Sequence, residues 1–299
     1  TIATEKNYNN HIGVPFTLLK MNEHHHIAVI EMGANHPGEI KFLCELAKPE
    51  FGLITNIGKA HLEGFGSYEG VINTKNEMYE YVASNNGTLF YNSDNELLKR
   101  LLKNKSCRKI DYGTSENAWC SGEIVSTNPY ITFRIKCSPL IKSRLIGNYN
   151  FENLLAGVCV GKFFDVPADQ ITDAITKYIP DNNRSQVIQK AANEIILDAY
   201  NANPTSMKAA IENFSKLQRK QKALVLGDMF ELGEFSDEEH KNIVDLVNKY
   251  PFTAVFYIGP VFSANAKKQH STFQSTQDFI GWIKKNPIKN FTILIKGSR

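Results

Sequence analysis

The sequence predicts an α/β protein of two domains built on largely parallel sheets. Three observations carry that prediction. Several β-branched, apolar runs each end in a polar or glycine-containing turn. Helical patterns lie between most of them, and strands alternating with helices indicate parallel α/β sheets. The 299 residues are too many for one small core and enough for two ordinary domains.

Taken in order, HIAVIEMGAN gives a strand ending at Glu31, followed by a helical pattern over 38–47. FGLITNIG gives a strand ending at Thr55 and Asn56. A glycine-studded loop carrying His61 then leads into a helix over 69–83. From about 87 to 146 the pattern changes. GTLFYN, RKIDYG, WCSGEIVST and YITFRIK alternate apolar and polar residues, which predicts a small antiparallel patch at the edge of the first domain. A helix over 151–164 follows. Proline, Asp and two Asn in YIPDNNRSQ mark a boundary near 180–186, so the expected domains are 1–181 and 182–299. Beyond it, strands end at Asp198, Gly227, Gly259 and Lys296, with helices over 205–219, 236–249 and 276–285. This is a second α/β domain of Rossmann-like kind. Ligands of such sheets bind beyond the carboxyl ends of the strands, where Glu31, Asn56, Asp198, Asp228 and Lys296 stand.

The composition excludes several classes. Hydrophobic residues make up 42% and charged residues 22%, which is globular rather than disordered. A net charge of +3 without a Lys/Arg run argues against a nucleic-acid partner. Cys44, Cys107, Cys120, Cys137 and Cys159 form no C-x-x-C pair, which fits a reducing cytoplasm better than a disulfide framework. No apolar run reaches membrane-spanning length and no signal peptide is visible, so no membrane partner is expected. His24, His25 and His26 read as a surface turn in preference to a metal tract.

Lys75 is the sharpest chemical clue. Val71, Lys75, Met78 and Val82 share one helical stripe, so a lysine falls on the inward face. Desolvation pushes such an amine toward its neutral form, which attacks carbon dioxide to give a carbamate. The alternative is a snorkelling lysine whose stem packs and whose head reaches water. Glu31 and His61 each follow a strand and can converge, a carboxylate–imidazole pair suited to magnesium or manganese or, alternatively, to local hydrogen bonds. Asn150 and Asn153 stand one turn apart at a helix start, suited to a purine edge or to capping. Asp198 at a strand end suits a ribose diol, and Arg184 suits a phosphate. NANPTS reads as a turn and an N-capped helix.

The strings NYNNHIGVPFTLL, VIEMGANHPGEI, TNIGKAHLEGFGS, GNYNFENLLA, NRSQ, DAYNANPTSM, GDMFELGE and LIKGSR, in that order, resemble the Mur ligase family. The resemblance runs from Asn7 to the last residue. GANHPGEI, AHLEGFGS and DAYNANP match the branch that adds a dipeptide. It implies ATP-dependent joining of D-Ala-D-Ala to a UDP-N-acetylmuramoyl-tripeptide through an acyl phosphate, by a monomer in the bacterial cytoplasm. It implies a carbamylated Lys75 that holds Mg2+ with Glu31 and His61, and a catalytic role for Lys75, His61 and Arg184. It also implies Asn150 and Asn153 near adenine, Arg184 near the phosphates and Asp198 near the ribose. Tyr200, Asn203 and the loop Lys296 to Arg299, with Lys296 and Ser298, are implied on the amino-acid side. One departure stands out. The family's glycine-rich phosphate loop ends in Gly-Lys-Thr or Gly-Lys-Ser, and here Gly58-Lys59 and Gly161-Lys162 are followed by Ala and Phe. The expectation is a fragment holding most of a central ATPase domain and most of a C-terminal ligase domain, inactive by itself. Two other readings are an amide ligase of the same superfamily with a different acceptor, and a non-catalytic module binding nucleotide or a cell-wall precursor.

Overall fold

The computed structural model describes residues 1–136, 139–180, 183–267 and 270–298. Cys137, the expected boundary positions Asp181 and Asn182, and Arg299 lie outside the described residues. The chain forms two compact units, one of residues 1–57 and 61–120, the other of residues 58–60 and 121–299.

The first unit runs β1 (Ile2–Ala3), α1 (Gly13–Leu19), β2 (Ala28–Val29), α2 (Glu39–Ala47), β3 (Phe51–Leu53), α3 (Leu62–Phe65), α4 (Tyr68–Ser84), β4 (Thr88–Asn92), α5 (Glu96–Leu102) and β5 (Arg108–Gly113). β1 and β2 pair in parallel, and β3, β4 and β5 form a parallel ladder. Ser67 starts α4 by accepting the Gly70 N–H. Its inward stripe buries Val71 and Val82, and Gly52 of β3 leaves room for Met78, since a Cβ there would overlap the Met78 sulfur. Glu77 of α4 accepts the backbone N–H groups of Gly38 and Lys41, each at 2.8 Å, and so satisfies the open end of α2.

One expectation needs correction. The span 87–146 is not antiparallel throughout, because β4 and β5 run parallel. The cause is α5, a short crossover helix that the alternating pattern concealed. Asn95 caps it by accepting the Leu97 and Leu98 N–H groups, and Leu98 and Leu102 bury its inner face. A helical crossover returns the chain in the same direction.

The second unit begins with an antiparallel meander of β6 (Cys120–Ser126), β7 (Tyr130–Ile135) and β8 (Leu140–Ile146), followed by α6 (Tyr149–Phe163) and α7 (Ala168–Lys177). Then come β9 (Gln186–Lys190), β10 (Asn193–Asp198), α8 (Pro204–Lys216), β11 (Lys222–Gly227), α9 (Ser236–Val247), β12 (Ala254–Ile258), α10 (Pro260–Asn265), β13 (Ser271–Phe273), α11 (Thr276–Lys285) and β14 (Thr292–Lys296). These strands form one sheet in the order β13-β12-β11-β14-β10-β9, parallel except for β9. β11 is covered on both faces. Ala223 and Val225 join Phe256, Ile293 and Trp282 of α11, while Leu224 and Leu226 are fully buried between them along the strand. Near-continuous apolar strands are the mark of such doubly covered sheets.

His24 and His26 are exposed in a turn before β2. Cys44 and Cys107 are free thiols. Among the described residues no helix is long and apolar enough to cross a membrane.

Candidate functional site

In the first unit, Glu31 lies two residues past β2. Its backbone N–H donates to the Thr4 hydroxyl, and one carboxylate oxygen accepts from the Asn9 amide at 2.9 Å. Asn9 is itself held, because its carbonyl accepts the Gly33 N–H at 2.7 Å. Gly33 has to be small, since a Cβ would press on the Asn9 amide. The carboxylate is therefore oriented by a second residue that the spacing argument had not singled out, although Asn9 stands in the NYNN string.

His61 begins α3 in the left-handed region, at φ 53°. Few side chains tolerate that region, and histidine is among those enriched there. Its ring meets Phe65 edge-on at 6.5 Å. Gly64, three residues on, sits so close to Asn35 that a Cβ would overlap the Asn35 carbonyl oxygen. The His61 loop thus rests directly on the turn that follows Glu31.

Lys75 is half-buried on α4. Desolvation lowers its pKa, and the nearby charge of Glu31 opposes that shift. Among the described residues no group of three or more His, Cys, Asp and Glu side chains could hold a metal. The donor set here is one carboxylate, one imidazole and one amine, and only a carbamate on Lys75 turns the amine into an oxygen ligand. With that change the set suits a hard divalent cation.

In the second unit the expected residues form one hydrogen-bonded chain around Ser185. The Asn150 amide donates to the Ile146 carbonyl at 2.7 Å and to the Ser185 hydroxyl at 3.3 Å, and Asn153 donates to the Asn150 oxygen at 3.4 Å. The Tyr149 and Ser185 hydroxyls meet at 2.8 Å. Burial, and after it the charge of Asp198, raises the pKa of Tyr149. Ser185 donates its backbone N–H to one Asp198 oxygen at 3.2 Å, and Lys296 takes the other at 2.7 Å. The guanidinium of Arg184 lies over the Tyr200 ring, 4.1 Å from its centre.

Asn203 caps α8. Its side chain accepts the Ser206 N–H while the Ser206 hydroxyl accepts the Asn203 N–H, a reciprocal capping box with proline at the first helical position. The Ser298 hydroxyl donates toward the Ala202 carbonyl at 3.2 Å, and its N–H donates to the Asp228 carbonyl at 3.3 Å. The ends of β10, β11 and β14 thereby converge at one edge of the sheet. Tyr149 and Ser185 were missed by sequence reasoning. Ser185 stands inside NRSQ, yet nothing local marks it as the hub.

Two domain families match the chain: Mur ligase middle domain over residues 1–161, and Mur ligase, glutamate ligase domain over residues 183–299. The UDP-N-acetylmuramoyl-tripeptide–D-alanyl-D-alanine ligase of Bacillus subtilis (strain 168) is 34% identical over 308 residues, covering 99% of this chain and 66% of that protein. The protein of the same name from Escherichia coli (strain K12) is 32% identical, covering 100% of this chain and 68% of its own length. The chain thus spans about two thirds of the length of the curated relatives it matches. A crystal structure of MurF from Acinetobacter baumannii superposes with a TM-score of 0.88 at 30% identity, covering 100% of this chain and 67% of that one. A MurF ligase from Thermotoga maritima in complex with ADP gives 0.85 at 24% identity, with 99% and 70% covered, a likeness of fold. With both domain families matched in order and one-third identity held along its whole length, the chain belongs to the Mur ligase family.

Proposed function

We propose that the chain carries the central and C-terminal parts of an ATP-dependent amide ligase that joins D-Ala-D-Ala to a UDP-N-acetylmuramoyl-tripeptide in the bacterial cytoplasm, acting as a monomer. Residues 1–181 belong to the central ATPase domain and residues 182–299 to the C-terminal ligase domain. The acceptor rests on the relatives that bear this activity in their names. The chemistry rests on one observation, the half-buried Lys75 on the helical stripe that buries Val71 and Val82, where the charge of Glu31 acts on its amine.

The neutral Lys75 amine adds to carbon dioxide, forming an N–C bond and releasing a proton, and the product is a carbamate anion. Glu31, His61 and that carbamate would hold Mg2+. Asn9 holds one oxygen of the Glu31 carboxylate and leaves the other for the ion. When bound, the ion supplies charge neutralisation where phosphate and carboxylate oxygens meet. In the reaction, the tripeptide's terminal carboxylate attacks the γ-phosphate of ATP and ADP leaves. The dipeptide's amine then attacks the acyl phosphate carbon, and phosphate leaves. Asn150 and Asn153 serve adenine, Asp198 the ribose and Arg184 the phosphates, with the Arg184 guanidinium over the Tyr200 ring. Tyr200, Asn203, Lys296 and Ser298 serve the dipeptide side.

The test is phosphate release by the product of the whole reading frame, supplied with ATP, magnesium, UDP-N-acetylmuramoyl-tripeptide and D-Ala-D-Ala. Release that requires both the tripeptide and the dipeptide is expected. Release that needs a different amino-acid acceptor reassigns the acceptor within the superfamily. A folded protein that binds nucleotide and releases none makes it a binding module.

A further inference from the structure

His240, on α9, is fully buried, and the sites above make no use of it. Both ring nitrogens are committed. Nδ1 lies 2.7 Å from the Ser236 carbonyl oxygen, which only accepts, so Nδ1 carries a proton. Nε2 accepts the backbone N–H of Met229 at 3.0 Å. The neutral Nδ1–H tautomer alone satisfies both bonds. Phe262 meets the ring edge-on at 4.6 Å. Asp228 is the nearest acid, with Oδ1 3.6 Å from Nε2, but its carboxylate already accepts the N–H groups of Val261 and Phe262. Asp237 and Glu239 also act on the ring, and Glu239 is paired with Lys59 at 2.6 Å.

What His240 holds leads to the dipeptide side of the site. The turn after β11 receives Ser298 through the Asp228 carbonyl, and the Phe230 N–H donates to the Ser298 hydroxyl at 3.3 Å. Phe230 itself is 56% exposed, and the next residue, Glu231, sits at φ 62°. An exposed aromatic beside a left-handed residue persists only where its surroundings fix the backbone.

We propose that His240 is a positioning residue for the ligation reaction. By accepting the Met229 N–H it fixes the turn 228–231, and through that turn the Ser298 hydroxyl and the Phe230 ring against which D-Ala-D-Ala is placed. This rests on the reading of the protein as a dipeptide-adding ligase.

The experiment compares His240→Gln, which keeps a side-chain oxygen able to accept the Met229 N–H, with His240→Phe, which fills the space without an acceptor. The measurement is steady-state kinetics of the product of the whole reading frame. His240→Phe should raise KM for D-Ala-D-Ala about tenfold, the effect of orphaning one buried donor, with KM for ATP unchanged. His240→Gln should return it to within about threefold of the parent. A KM for ATP that rises in step, or a Gln variant as poor as Phe, overturns the proposal. Should the Phe variant fail to fold, His240→Asn replaces it, since its shorter side chain keeps a donor for Ser236 and loses the acceptor for Met229. Amide hydrogen exchange at Met229 and Phe230 supplies a readout independent of turnover. Exchange should quicken in Phe or Asn and stay slow in Gln, and unchanged exchange in all three overturns the hold on the turn. Absence of dipeptide-dependent phosphate release in the parent protein would instead count against the proposed function.

Discussion

Lys296→Met should cost the second unit about 3 kcal/mol of stability. Lys296 lies beside Asp198 in the register of β14 and β10, with its Nζ 2.7 Å from the carboxylate. The side chains are 2% and 14% exposed, so water supplies little to either charge. Methionine keeps most of the packed stem and deletes the ammonium. Asp198 then retains the Ser185 N–H as its charge-satisfying partner among the bonds described. Breaking a buried pair from one side costs about 3–5 kcal/mol because the remaining charge is orphaned, and the residual access of Asp198 to water favours the lower end. For a domain of this size that is a fall of about 6–12 °C in Tm. The assay is urea and thermal unfolding followed by circular dichroism, alongside Asp198→Asn and the double variant. Removing both charges should recover roughly half of the loss, since neither partner is left orphaned. A Lys296→Met loss under about 1 kcal/mol, or a double variant equal to the sum of the singles, would refute the orphaned-charge reasoning.

Lys75→Ala should lower turnover of the whole gene product by about a hundredfold or more, through loss of one charge-stabilising ligand. With 13C-labelled bicarbonate the parent should show a carbamate resonance that Lys75→Arg lacks, and a resonance surviving in Lys75→Arg would place the modification elsewhere. Asn203→Ala should cost about 1 kcal/mol by removing the cap of α8, whereas Asn203→Ser should keep most of it. Equal losses of turnover in a stable Ser variant and in the Ala variant would mark Asn203 as a substrate contact as well as a cap. Burial holds the pKa of His240 below its ordinary 6.5. Below 6.5 and above the depressed folded value, the unfolded chain binds more protons, so stability rises with pH and falls on acidification through that window. His240→Gln should lose that slope, and parallel unfolding midpoints across the window would rule out His240 as its source.

Much of the fold was legible in the residues. Strands that end at Asp198, Gly227, Ile258 and Lys296 follow from β-branched runs closed by turn residues, and α4 follows from its stripe. Lys75 was conspicuous because a charged residue on an apolar stripe breaks a local rule, and such breaks concentrate where chemistry is done. The crossover α5 was not legible. Its seven residues are too few for a helical period to outweigh the alternating strands on either side.

By itself, then, the sequence determined the α/β class and the family and nominated the candidate ligands, because periodicity, turn chemistry and motif order are local properties of the chain. The tertiary structure alone decided which of those residues touch. Asp198 and Lys296 are 98 positions apart and meet because β14 is inserted between β10 and β11. Ser185 becomes a hub because the loop before β9 brings it onto Tyr149, Asn150 and Asp198 at once. The Nδ1–H form of His240 is set by a carbonyl four residues behind it and an amide eleven residues before it. Sheet order and hydrogen-bond partners are non-local, and a pattern read along one chain carries no record of them.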